Sequence, residues 1–275
     1  MNILLTGANG FVGQRIRAKL PVIAAPSLRG ASRDDICRII DAAEPDVIIH
    51  TAAISDIGAC EKDHDASWHA NVLVPTYIAK AAGKAKQIYF SSDQVYGGVA
   101  HGGPYCEDDT APANTYACHK LALEDAVLSA APNAILLRAT WMYDMPLYGA
   151  DNRGNFLMGL LLAAARGESL TYSDTQVRGI TYVREVADQV ATMIERDIPG
   201  GVYNFGSENT LDMLTTARQC ADILGLPPST ATLVRTAIRK RKTASTSPSD
   251  WTARCSTASP LSTTVLPSAV RSSRA

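Results

Sequence analysis

Tyr116 and Lys120 stand four residues apart in "YACHK", a spacing that puts a phenol and an ammonium on one helix face. That pair suits proton delivery to an oxygen that gains negative charge, as a ketone does when it accepts hydride. Free tyrosine titrates near pH ~10, and a neighbouring cation draws that value down. In a chain with 10 Tyr the spacing alone is weak, so its meaning depends on what lies upstream. Ser92 closes the apolar run "QIYFSS", where its hydroxyl can orient a carbonyl. Further upstream, "LLTGANGFVG" sets Gly7, Gly10 and Gly13 between a first strand and a helix. Such a turn uses glycine for the tight bend, for close approach of a pyrophosphate and for packing helix on strand. The helix start then offers free N–H groups and a positive dipole end to the anion. Glycine turn, serine after a mid-chain strand and Tyr-x-x-x-Lys on the next helix occur in the right order for a catalytic set beside a bound cofactor.

The elements that must position these residues are legible as alternation. "NILLTG", "PVIAAPS", "PDVIIHTAA", "QIYFSS" and "NAILLRAT" read as strands, with helices predicted over Phe11–Leu20, Asp34–Ala43, Trp68–Ala82 and Thr115–Ala130. A Gly/Pro-rich loop, 97–114, is long enough to be functional. Three more helical patterns, "GNFLMGLLLAAARG", "TYVREVADQVATMIER" and "TLDMLTTARQCADILG", flank a short strand, "GVYNFGS". Strands alternating with helices predict a parallel sheet. The 275 residues are 46% hydrophobic and 19% charged, with net charge −1, which gives no electrostatic ground for nucleic acid or an anionic membrane. No apolar run reaches membrane-spanning length. The chain opens on a strand pattern without a leader, and its six cysteines show no C-x-x-C pair. Free thiols and a cytoplasmic location are therefore expected. His64 and His69 have the wrong offset for one helix face, so no metal is expected.

The glycine spacing G-x-x-G-x-x-G, with Ser92 and the Tyr-Lys pair, resembles the extended branch of the short-chain dehydrogenase/reductase superfamily. The resemblance implies an α/β protein, a Rossmann-type doubly wound parallel sheet with a smaller C-terminal α/β substrate domain. Residues 1–145 and 178–200 would form the NAD(P)-binding part, and 146–177 with 201–235 the substrate part. It implies Ser92, Tyr116 and Lys120 as catalytic residues, with Tyr116 the acid and Lys120 its ribose-binding helper. Cofactor contacts would come from Gly7, Gly10, Phe11, Val12, Gly13, Ala52, Ala53, Asn71, Tyr116 and Lys120. A 2′-phosphate on the adenosine ribose wants arginine where a free hydroxyl wants an acid. Residues 1–33 hold no Asp or Glu but carry Arg15, Arg17, Lys19, Arg29 and Arg33. NADP(H) is thus favoured over NAD(H), with Arg29 as the expected contact.

"ACEKDHDASWHANVLVPTYIA", "SSDQVYGG", "PYCEDDTAPANTYACHKLALED", "ILLRATWMY", "GNF" and "RGITYVREVAD" resemble the dTDP-4-dehydrorhamnose reductase family. That resemblance implies reduction of the 4-keto group of a nucleotide-linked deoxysugar, and leaves room for a homodimer. Asp93, Trp141, Asn155, Phe156 and Arg178 fall where substrate contacts are expected, and an arginine suits phosphate. Two departures mark a divergent branch: Arg29 stands near a position where relatives carry Asp, and "RGITYV" replaces a Gly-x-Pro-Thr pattern. Nucleotide-sugar dehydratases carry an Asp-Glu pair after the catalytic Ser/Thr. Here it is Asp93-Gln94, and an amide cannot remove a carbon-bound proton. An epimerase uses the same Ser/Tyr/Lys set and stays open. So does a cofactor-binding protein resembling the regulatory subunit of methionine adenosyltransferase. Residues 236–275 are rich in Ser, Thr, Ala and Arg without periodicity, as an out-of-frame reading of a GC-rich gene would be, and predict a disordered, protease-sensitive tail.

Overall fold

The computed structural model describes residues 1–145 and 155–233. The strand patterns assemble as expected into one parallel sheet. Its strands are β1 (Ile3–Thr6), β2 (Ile23–Ala24), β3 (Val47–His50), β4 (Lys86–Ser92), β5 (Ile135–Ala139) and β9 (Gly201–Phe205), in the order β2-β1-β3-β4-β5-β9. Chain progress reverses at β1: β2 lies on one side and β3 on the other. Ligands of open parallel sheets bind outside the carboxyl ends of the strands at such a reversal. The continuous apolar strands are buried on both faces, the consequence of helices covering each side.

Helices α1 (Phe11–Lys19) and α8 (Val183–Glu195) cover one face. There Ile3, Leu5, Ile49, Phe90 and Leu137 pack against Ile16 and Val186. Helices α2 (Arg33–Ala43), α5 (Val74–Ala81) and α6 (Thr115–Ala130) cover the other, with Leu4, Ile48, Tyr89 and Leu136 against Ile36, Ile78 and Leu123. Helix α2 starts on a capping box, Ser32 with Asp35. Asn114 caps α6, its Oδ1 accepting from the Ala117 N–H at 2.9 Å.

Several elements differ from expectation. The helix expected over Trp68–Ala82 is three pieces: α4 (His64–Trp68), a π turn (His69–Leu73) and α5. Pro75, in the first turn of α5, has no N–H to extend a regular ladder, and the Val74 N–H reaches back to the His69 carbonyl. Helix α3 (Ile57–Lys62) precedes them. Gly201–Phe205, grouped in the sequence with the substrate part, is a strand of the main sheet, because β5 offers it a full parallel register from Ile135 to Ala139. Outside that sheet, β6 (Trp141–Tyr143) pairs with β8 (Ile180–Tyr182), and β7 (Leu170–Tyr172) with β10 (Ala231–Leu233). Helices α7 (Phe156–Arg166) and α9 (Met213–Ile223) close a small core of Phe156, Leu160, Met213, Ala217 and Ala231. The described residues all lie within one compact unit, and the expectation for 236–275 lies outside them. Among the described residues no helix is long and apolar enough to cross a membrane.

Candidate active site

The glycine turn leaves β1 beside the end of β3. Gly7 has φ +67°, and a Cβ there would lie 2.7 Å from the Ala52 nitrogen. A Cβ on Gly13 would lie 2.2 Å from the Gly7 carbonyl oxygen. Turn, helix and the 51–53 loop therefore close on each other with no room for side chains. Gly10 begins α1 without a side-chain cap and no acid occupies the first turn, so the N–H groups of Phe11 and Val12 stand at an uncapped, positive helix start. An uncapped helix start of this kind suits an anion, and the residues present fit a dinucleotide pyrophosphate. Ala52 is half-buried and Ala53 exposed beside it. Asn71, on the π turn, fixes that loop: its Oδ1 accepts from the Ile54 N–H at 2.9 Å, and its Nδ2 donates to the Ile54 carbonyl at 2.9 Å.

Of the cations near this turn, Arg29 is exposed on the loop after β2 and makes no salt bridge among the described residues. Arg15 is different: it is buried, and its Nε donates to Asp144 Oδ2 at 2.9 Å. Its charge is committed inside the protein. Lys19 is paired with Asp188 at 2.6 Å.

Ser92, Tyr116 and Lys120 converge at the carboxyl end of β4. Ser92 caps a 3₁₀ turn (Asp93–Tyr96), its Oγ accepting from the Gln94 N–H at 3.2 Å. Lys120 donates to the Phe90 carbonyl at 2.7 Å and lies 5.5 Å from the Tyr116 ring centre. All three side chains are buried. Burial pushes the Tyr116 phenol well above its usual range, interaction with the Ser92 hydroxyl draws it partly back, and the Asp93 carboxylate adds to the rise. Lys120, expected from the sequence to lower the phenol, is not among the groups that shift it; desolvation dominates, and Tyr116 stays a protonated phenol at neutral pH. Burial draws Lys120 down to about 8, with Glu124 opposing.

On the far side of Ser92, Asp93, Arg178, Trp141 and Phe156 come together. The Ser92 hydroxyl donates to Asp93 Oδ1 at 3.3 Å, and Arg178 Nη2 reaches the same carboxylate at 3.1 Å. The guanidinium carbon of Arg178 lies 4.7 Å from the Trp141 ring centre, and Trp141 and Phe156 are 5.8 Å apart. Trp141 is exposed and Phe156 buried in the small core. Asn155 is occupied otherwise. Its Oδ1 caps α7 through the Leu157 and Met158 N–H groups, and its Nδ2 donates to the Asp144 carbonyl at 3.2 Å.

The structure adds residues that spacing did not single out. Glu124 and Arg138 form a buried ion pair at 2.6 Å beneath Lys120. Buried His50 meets the Thr6 hydroxyl at 2.8 Å through Nδ1. A signal existed for Arg138, a lone charge inside the apolar run "ILLRA". Glu124 follows Lys120 by four, one further turn on the same face. Cys37, Cys60, Cys106 and Cys220 are free thiols as expected.

The chain is similar to several known proteins. A dTDP-4-dehydrorhamnose reductase of Burkholderia thailandensis is 31% identical over 218 residues, covering 75% of this chain and 71% of its own length. Methionine adenosyltransferase 2 subunit beta of Danio rerio is 27% identical over 249 residues, 82% of this chain and 75% of that protein. The crystal structure of a dTDP-4-dehydrorhamnose reductase from Yersinia enterocolitica superposes with a TM-score of 0.73 at 27% identity, covering 82% of this chain and 81% of that one. Residues 1–269 match the family model of the RmlD substrate binding domain, and the chain belongs to that family.

Proposed function

We propose that this chain reduces the 4-keto group of a nucleotide-linked deoxysugar, with NADPH preferred over NADH. It is an NAD(P)H-dependent oxidoreductase, and the finer assignment rests on one observation: Ser92, Tyr116 and Lys120 meet, buried, between the glycine turn and the Asp93–Arg178–Trp141 cluster. Bound NAD(P)H supplies the hydride. Ser92 holds the substrate carbonyl through its hydroxyl, and Tyr116, kept protonated by burial, gives its proton to the oxygen as negative charge develops. The Lys120 ammonium stabilises the phenolate left behind. Asp93 accepts from sugar hydroxyls, Trp141 and Phe156 offer an apolar wall, and Arg178 faces the nucleotide phosphates. In this reading residues 1–145 and 178–200, with β9, carry the cofactor, and 146–177 with the rest of 201–235 carry the sugar. The cytoplasmic location expected from the sequence is part of it. Exposed Arg29 and the acid-free first 33 residues support NADPH.

The test is NADPH consumption by the purified protein against a panel of nucleotide 4-keto sugars. Consumption matching product, with kcat/KM higher for NADPH than NADH, is the expected result. Equal or better use of NADH overturns the cofactor assignment. An inverted sugar without net NADPH loss would show an epimerase. The likeness to methionine adenosyltransferase 2 subunit beta supports a second reading, a cofactor-binding regulatory partner. Tight NADPH binding with no turnover of any sugar, and copurification with a larger enzyme, would favour it.

A further inference from the structure

Beneath the catalytic residues lies a second polar cluster that the reaction does not touch. Glu124 takes Arg138 in a fork: Oε1 accepts from Nε at 3.0 Å and Oε2 from Nη2 at 2.6 Å, while the Ser91 hydroxyl also donates to Oε1. Arg138 spends its remaining nitrogen on the loop side, donating from Nη1 to the Tyr96 hydroxyl at 2.8 Å and to the Glu107 carbonyl at 2.5 Å. The Tyr96 hydroxyl donates to Asn204 Oδ1 at 2.6 Å, and the Asn204 N–H donates to Glu107 Oε1 at 3.0 Å. One buried ion pair thus ties together the catalytic helix, the end of β4 next to Ser92, the 97–114 loop and strand β9.

A buried ion pair is a poor device for stability. Desolvation offsets most of its attraction, and apolar replacements are often as stable. A bidentate fork does fix direction, because a planar guanidinium and a carboxylate lock in one orientation. We propose that Glu124 and Arg138 are positioning residues for the reaction: they set α6 against the end of β4 so that Tyr116 and Ser92 address one carbonyl, and they transmit the placement of the 97–114 loop to that pair. This rests on the reductase reading.

Glu124 also sustains the charge on Lys120. The groups facing Lys120 are Tyr116 and Glu124 on its own helix, His50 from β3 and Cys60 from α3. Burial keeps His50 neutral and pushes the Cys60 thiol up, so Glu124 is the carboxylate among them that favours the ammonium. Without it, Lys120 loses its proton at lower pH. Reduction uses the ammonium form, so the alkaline limb of the rate profile moves to lower pH.

The experiment compares Glu124→Gln, Arg138→Lys and the double variant Glu124→Gln/Arg138→Met in the full chain. Each is measured for kcat and KM across pH, NADPH affinity, melting temperature, and Lys120 titration by NMR of ¹³C-labelled lysine without substrate. Glu124→Gln should lower kcat by ~10-fold or more, as misplacement of reacting groups does, with NADPH affinity little changed. Its alkaline limb and its Lys120 titration should move together to lower pH. Arg138→Lys keeps the carboxylate but loses the fork, so kcat falls and the limb stays. The double variant removes both halves of the fork, leaves no guanidinium without its carboxylate and should recover stability relative to Glu124→Gln, yet kcat should stay low even at a pH where Lys120 is still charged. Recovery of kcat along with stability would overturn the proposal, as would an unmoved Lys120 titration in Glu124→Gln. If the unaltered protein reduces no sugar, the reductase reading falls, while the Lys120 titration still decides whether Glu124 holds its charge.

Discussion

Tyr116 sits in a site that favours its protonated form, because burial outweighs the help of the Ser92 hydroxyl. That suits an acid whose proton leaves only as a neighbouring oxygen gains charge. Tyr116→Phe removes the donor and little else, since the ring stays beside Lys120. General acid catalysis contributes ~10²–10⁴-fold, so turnover should fall by that order while NADPH titrates as before. A variant that reduces substrate at the normal rate would show that another group supplies the proton. These residues were legible because helical spacing and a strand end leave a local signature. Arg178 on Asp93 and Arg15 on Asp144 were not. Each pair joins positions far apart in the chain, and no periodicity records such a contact. Arg15, counted in sequence among cations near the dinucleotide, is instead neutralised inside the protein.

At the scale of elements, strand, glycine turn and helix act as one preassembled anion cradle. The 2.2 Å approach that a Gly13 Cβ would make to the Gly7 carbonyl shows how little slack it has. Gly13→Ala must push α1 away from β1. Overpacking of this kind costs ~1–3 kcal/mol, so both melting temperature and NADPH affinity should fall. Gly159→Ala is the control: on α7 its Cβ would make an ordinary 3.6 Å contact with Leu170, and helix propensity favours alanine. Equal NADPH affinity in Gly13→Ala and the unaltered protein, by fluorescence titration, would mean the turn does not hold the pyrophosphate. Long elements such as α6 and α8 were readable almost to the residue, α8 through its amphipathic period. The three-residue strands β6, β7, β8 and β10 were not, because three residues carry no period and their partners lie distant in sequence. The break at the π turn was missed for a related reason, since the apolar pattern runs through it.

At the scale of the whole molecule, a source of acid sensitivity distinct from the carboxylates lies in the layer between β1, β3 and α6. Burial draws His50 down from 6.5 to about 3, and the Lys120 charge adds to the fall. A basic group whose folded value is depressed leaves the native state unprotonated while the unfolded chain takes up a proton. Stability is therefore whole above pH 6.5 and declines as pH falls towards 3. Lys120 acts in the same sense at the alkaline end. Its folded value of about 8 against 10.5 means the burden of burying its charge is fully present below pH 8 and lifts as pH rises. Activity goes the other way, because reduction needs the ammonium. Just above pH 8 the Lys120 contribution to stability should grow while activity falls, until the Cys60 and Cys220 thiols and the buried tyrosines oppose it at higher pH. The acid side can be isolated between pH 6.5 and 5, before most carboxylates titrate, where one pKa unit is worth ~1.4 kcal/mol. His50→Asn keeps an amide within reach of the Thr6 hydroxyl and removes the titration. Its melting temperature should change less from pH 6.5 to 5 than that of the unaltered protein, by the equivalent of roughly 1–2 kcal/mol. An identical slope in both proteins would place the acid sensitivity elsewhere, with His119, drawn down to about 4 by burial, the next residue to replace.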